Sequence, residues 1–174
     1  EQKPKKQRDA TQPKETNQIR HREGSPTKLL FRHQLHRRLQ LMPSVFTMII
    51  QGDLPGTFVW RDDRCAAFMS INPIAHGHTL VVPIDEIDHW LDVSPDLQQH
   101  LFGIASRVGQ AQQRAFETDR VGLIVAGFEV PHMHIHVIPA QEMSDLDFAN
   151  AATSVEQSEL QDAATAIKAE LNSL

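Results

Sequence analysis

One cysteine, Cys65, stands among 174 residues. No disulfide can close within the chain, and a reducing compartment, the cytoplasm, is expected. No run approaches the roughly 20 apolar residues of a membrane span. No apolar run follows the basic residues at the start, so neither a secretory leader nor a membrane partner is expected. No internal repeat is present. Basic residues are scarce beyond position 41. Residues 1–41 hold 11 of the 17 Lys and Arg and four of the 22 Asp and Glu, a net of +7, which leaves residues 42–174 at −12. Polyanion affinity comes mainly from Lys and Arg. The acidic part is therefore not expected to take nucleic acid, and any phosphate it binds must be met by a few placed donors.

Residues 1–27 are polar, with almost no large apolar side chains, and are expected to be disordered because they cannot offset their ordering entropy. In residues 28–41, Leu29, Leu30, Leu35 and Leu39 alternate with Arg32, Arg37 and Arg38, a pattern compatible with a short basic amphipathic helix. An anchor to nucleic acid, membrane or a partner is one reading of it and an unstructured tail the other. The segment is expected to be dispensable, with Met42 an alternative start. A domain over 42–140 and a helical extension over 141–174 follow.

Within the domain, Val45–Ile50 reads as a short helix stopped by Gly52-Asp53-Leu54-Pro55-Gly56. Thr57–Trp60 and Cys65–Met69 read as a hairpin around a polar turn, and Thr79–Pro83 as a third strand. Ser94-Pro95 opens a long helix with apolar spacing through Leu97, Leu101, Ile104, Val108, Ala111 and Ala115 to about Thr118. Val121–Val125 and His132–Ile138 complete five strands. Ser154 and Gln157 suggest a capping box for a last helix with Leu160, Ala164, Ile167 and Leu171 on one face. The expected fold is α+β, a five-stranded, mostly antiparallel sheet with one long helix, short helices and a C-terminal helix.

His132-Met133-His134-Ile135-His136 carries the chemistry. In a strand, residues two apart share a face, so three imidazoles line one side while Met133, Ile135 and Val137 pack inward. Such a row suits metal binding, nucleophilic attack on phosphorus with neighbouring donors, or a surface row with no role. No carboxylate or second cysteine stands at ligand spacing beside it, which ranks metal last.

Several segments, taken in order, resemble the histidine-triad (HIT) family. They are Phe46, Ile49, Ile50 and Gly52; Asp62-Asp63-Arg64-Cys65-Ala66-Ala67-Phe68; Ile71-Asn72-Pro73-Ile74-Ala75-His76-Gly77-His78-Thr79-Leu80-Val81-Val82-Pro83; and Val130-Pro131 through Ile138-Pro139. The resemblance implies a homodimer that joins two such sheets and acts on a purine nucleotide at the α-phosphorus without a cofactor or metal. The intermediate it implies is a nucleotidyl-histidine, and the substrate a nucleoside phosphoramidate or dinucleoside polyphosphate. It assigns His134 as nucleophile, His132 and His136 as groups that steady the phosphate and leaving group, and His78 as the upstream histidine. Val45, Phe46, Ile49, Phe68, Ile71 and Leu80 would form the base pocket. Two positions depart from the pattern. Ser70 stands where many members have an Asp for the ribose hydroxyls, and Glu129 replaces a hydroxyl residue in a shortened loop. These departures keep open a nucleotide-binding interaction protein with little catalysis. Ser44 and Thr47 occupy the places of a zinc-binding cysteine pair, so no zinc is expected there. His76 reads as a polar loop residue, His89 and His100 as solvated, Cys65 as a small buried residue, and Trp60 and Trp90 as core or interface residues.

Overall fold

The computed structural model describes residues 42–174, and the expectations for residues 1–41 lie outside them. Helix α1 (Val45–Gln51) starts where the Ser44 side chain accepts the Thr47 N–H and stops at Gly52, whose φ of 90° a glycine adopts without strain. Strands β1 (Phe58–Arg61), β2 (Cys65–Met69), β3 (Thr79–Pro83), β4 (Arg120–Ile124) and β5 (Ile135–Ala140) form one antiparallel sheet in the order β1-β2-β3-β5-β4. Helix α2 (Pro95–Ala115) links β3 to β4, and helix α3 (Gln157–Leu171) closes the chain.

Pairing places Phe58, Phe68, Leu80, His136 and Ile124 opposite one another across the five strands. That row belongs to the face that carries the site. The alternate residues Ala67, Val81, Ile135 and Val137 turn to the other face and share one core with Leu101, Ile104 and Val108 of α2 and Leu160, Ala164 and Ile167 of α3. The sheet is therefore covered on its inner face by two long helices. On the site face, α1 packs Phe46, Ile49 and Ile50 against Ala66, Phe68, Leu80 and Val82. Among the described residues, no helix is long and apolar enough to cross a membrane.

The differences from expectation are local. Helix α2 ends at Ala115 rather than near Thr118, and β1 begins at Phe58. Strand β5 begins at Ile135, not His132, because His132 N–H donates to Val130 and Met133 N–H to Ile87 outside the ladder. It also runs through Pro139, paired with Val121, instead of stopping there. The box of Ser154 and Gln157 does not form. Glu156 caps α3 without a side-chain bond, and the Gln157 amide reaches Thr57 Oγ1 at 2.9 Å.

Candidate active site

The four histidines occupy one small volume, and their hydrogen bonds fix which nitrogen carries each proton. His134 Nδ1 lies 2.8 Å from the carbonyl of His132. A carbonyl only accepts, so Nδ1 holds the proton and Nε2 keeps its lone pair. The Ile74 N–H donates to His78 Nδ1 at 3.1 Å, which leaves His78 protonated on Nε2. That Nε2–H donates to His136 Nδ1 at 2.9 Å, so the His136 proton sits on its own Nε2. The rings of His134 and His136 stand 4.7 Å apart. Two neighbouring nitrogens thus remain without a protein partner among the described residues, one a lone pair and the other a donor.

His132 differs from the expectation that it meets the phosphate. It is fully buried. Its Nε2–H donates to the Pro83 carbonyl at 3.0 Å, and its Nδ1 accepts from Ser44 Oγ at 2.7 Å. With both nitrogens occupied it offers none to the cleft, and its contact with His134 is through its carbonyl. Ser44 and Thr47 are held in turn by Glu86, whose Oε2 accepts from Ser44 N–H at 2.8 Å and Thr47 Oγ1 at 2.5 Å.

The surroundings disfavour charge on all four rings. Burial, helped by the neighbouring His136 and His134, pushes His78 down to about 3. Burial and His134 push His136 down to about 4. Burial also lowers His134, against the opposing pull of its bond to the His132 carbonyl and of the Glu129 charge. His132 is lowered by burial too, opposed by its bond to Pro83 and the Glu86 charge. The cost of placing charge at low dielectric decides all four.

Of the apolar residues expected around the base, Phe46, Ile49, Phe68 and Leu80 meet in one cluster, and the Phe46 ring stands edge-on to His134 at 4.9 Å. Val45 and Ile71 do not join it; they are 40% and 67% exposed. Ser70 is nearly buried just beyond β2, where its N–H donates to the His78 carbonyl at 3.0 Å. Glu129 is exposed, yet its charge is felt at His134. His76 lies outside the histidine group, against Phe116 and 3.6 Å from Glu159.

His100 is not solvated; its Nε2 lies 2.9 Å from Asp62 Oδ2. Asp62 also takes the Trp60 indole N–H and the backbone N–H groups of Arg64 and Cys65, and these bonds outweigh burial to hold its carboxyl well below the usual range. Burial and the adjacent Asp62 push the Cys65 thiol up to about 12, so it stays protonated. Asp62, Cys65 and His100 bring ligand-type atoms within 4.8 Å of one another, but the carboxylate already accepts from several donors and the thiol is held protonated.

Gln112 is a supporting residue that apolar spacing alone did not single out. Its buried amide donates to the carbonyls of Gly77 (2.9 Å) and Val137 (3.0 Å) and to Thr79 Oγ1 (3.2 Å), tying α2 to the turn that carries His78. Gly77 has φ 87°, and a Cβ there would lie 2.3 Å from the Phe116 ring. The signal was present: Gln112 stands four residues after Val108 on the apolar face of α2, where a polar side chain needs a buried partner.

The sequence model of the HIT domain family matches residues 51–143. The protein hit of Bacillus subtilis is 32% identical over 108 residues, covering 58% of this chain and 73% of that protein. An Arabidopsis thaliana protein named adenylylsulfatase is 30% identical over 103 residues, 56% of this chain and 52% of that one. In three dimensions, a hypothetical histidine triad nucleotide-binding protein of Sulfolobus tokodaii superposes with a TM-score of 0.67 at 26% identity, covering 74% of this chain and 92% of that one. The fold and the histidine cluster define a protein of the nucleotide-binding hydrolase or transferase kind. The chain belongs to the HIT family.

Proposed function

We propose that the protein cleaves a purine nucleoside 5′-phosphoramidate or related nucleotide at the α-phosphorus through a nucleotidyl-His134 intermediate. The observation that carries this reading is the pair of open nitrogens, a lone pair on His134 Nε2 beside a donor on His136 Nε2, each fixed by the hydrogen bond on the far side of its ring. In the first step His134 Nε2 forms a bond to phosphorus and the bond to the leaving nitrogen breaks. The amine departs with one proton taken from solvent. In the second step water attacks, the phosphorus–nitrogen bond to His134 breaks, and one proton returns to solvent. His136 Nε2–H donates to the phosphoryl group throughout. It stays neutral because its Nδ1 must accept from His78. His132 is a positioning residue whose carbonyl holds the nucleophile's tautomer, with Ser44 and Pro83 holding His132 in turn. Phe46, Ile49, Phe68 and Leu80 form the base side of the cleft.

Incubation with adenosine 5′-phosphoramidate is expected to release AMP catalytically. Ser70 in place of a carboxylate and the charge of Glu129 near His134 favour a second reading, nucleotide binding with little catalysis. AMP binding without turnover on a panel of amidates and polyphosphates would establish that reading and remove the first.

The cytoplasm is the proposed location, in line with the lone buried thiol. The proposed assembly is a homodimer paired through β4. That strand is a regular edge of the sheet, with Leu123 48% exposed, whereas the β1 edge is broken by a register shift between Phe58 and Trp60. Sedimentation at micromolar concentration is expected to give twice the chain mass, reduced to one by Leu123→Lys. A monomeric wild type contradicts the assembly.

A further inference from the structure

His136 is flanked by a second aromatic ring that the proposed chemistry does not use. Phe148 stands edge-on to it, with centroids 5.0 Å apart and an interplanar angle of 85°. It lies beyond the residues 51–143 that the family matches. Phe148 belongs to neither apolar core and is 45% exposed, an open ring rather than a packed one.

Its position is built from several directions. Asp147 Oδ1 accepts the Ala149 N–H at 2.9 Å and caps the short turn Phe148–Asn150, while Asn150 Nδ2 donates to the Ser144 carbonyl at 2.9 Å. Downstream, Ala152 N–H donates to the Pro73 carbonyl, and Asn72 Nδ2 to the carbonyls of Ala152 and Thr153. These bonds tie the segment to the loop that leads into His78. Upstream, Leu146 lies so close over Gly122 of β4 that a Cβ on that glycine would come within 2.4 Å of it.

The sheet order decides which side of the phosphate this ring faces. Helix α1 and its apolar pocket cover β1 to β3, Leu146 covers β4, and His136 on β5 lies between them. With the nucleoside on the α1 side, Phe148 faces the leaving group. The charges there disfavour a polyphosphate. The charged group felt at His134 is a carboxylate, Glu129. The segment itself carries Glu142, Asp145 and Asp147. A leaving group with several negative charges gains nothing from so acidic a segment.

We infer that Phe148 is a specificity-determining wall of the leaving-group subsite and selects uncharged leaving groups with an aromatic body, such as aryl amines, over polyphosphates. The inference rests on the nucleotidyl-transfer reading of the same site and names its substrate class.

The test compares adenosine 5′-phosphoanilidate, the unsubstituted phosphoramidate and diadenosine tetraphosphate. KM is compared rather than kcat, since aniline also leaves more readily than ammonia. A favourable aromatic contact is worth about 1 kcal/mol, so wild type should bind the anilidate about 5-fold more tightly than the unsubstituted amidate. Phe148→Ala brings that ratio towards one, and Phe148→Tyr restores it. Diadenosine tetraphosphate is the poorest of the three. The same ratio is read by calorimetry of the anilidate against the unsubstituted amidate on the His134→Ala background, where turnover plays no part. Absence of wild-type turnover with the binding ratio intact removes the catalytic reading and leaves Phe148 as the wall that reads the aryl group. A ratio near one in wild type, or one unchanged in Phe148→Ala, overturns the role of Phe148. Preference for the tetraphosphate overturns the leaving-group class.

Discussion

His134→Ala is expected to lower kcat for adenosine 5′-phosphoramidate by about 10⁴-fold or more, the usual consequence of removing a nucleophile whose neighbours cannot replace it. None of the other three histidines can take over. His132 has both nitrogens committed to Pro83 and Ser44. His136 presents a proton, not a lone pair, because His78 donates to its Nδ1. His78 accepts from Ile74 on one side and donates to His136 on the other. AMP affinity should change much less, within about 10-fold, since the apolar pocket and the His136 donor remain. Steady-state kinetics and calorimetry on the same preparation separate the two effects. Activity within 10-fold of wild type would mean that water attacks phosphorus directly.

The second large effect is on stability. An unfolded histidine protonates near pH 6.5, whereas in the folded protein His78 lies at about 3 and His136 at about 4. Below pH 6.5 the unfolded chain takes up protons that the folded chain refuses. The stabilisation is therefore complete above about pH 6.5 and is lost as the pH falls towards the folded values. Each such group contributes a slope of about 1.4 kcal/mol per pH unit inside that window. His132 and His134, both lowered, act in the same direction, moderated by Glu86 and Glu129. The summed loss of several kcal/mol is comparable to the whole stability of a domain this size. Thermal unfolding followed from pH 7 to pH 4 should show about two or more protons taken up per molecule at pH 5. His136→Asn should reduce that number by about one. A melting temperature that is flat across this range would mean that the histidines are hydrated and titrate normally.

Much of this site could be read from the chain, and what could not has physical reasons. Strand alternation separated the histidines from Met133, Ile135 and Val137, and the inward residues do enter the core. The helix signal at Ser94-Pro95 was local and held, because a cap is decided within four residues. The role of His132 was not local. Its partners lie 88 and 49 residues away, in the caps and strand ends that folding brings beneath it. Strand alternation predicts that His132 shares a face with His134; it says nothing of the backbone leaving the ladder before Ile135. Phe148 lies in an irregular stretch with no periodicity, and only the tertiary anchors at Pro73 and Gly122 put it beside His136. His100 looked solvated because Asp62, its partner, stands 38 residues earlier.

The central claim, covalent transfer to His134, has a direct physical signature. Protein mixed with excess adenosine 5′-phosphoramidate and quenched in base during turnover should carry the mass of one nucleotidyl group, located on His134 by peptide mapping and absent from His134→Ala. Catalytic release of AMP with no adduct at any time, or with the adduct on another residue, would contradict it.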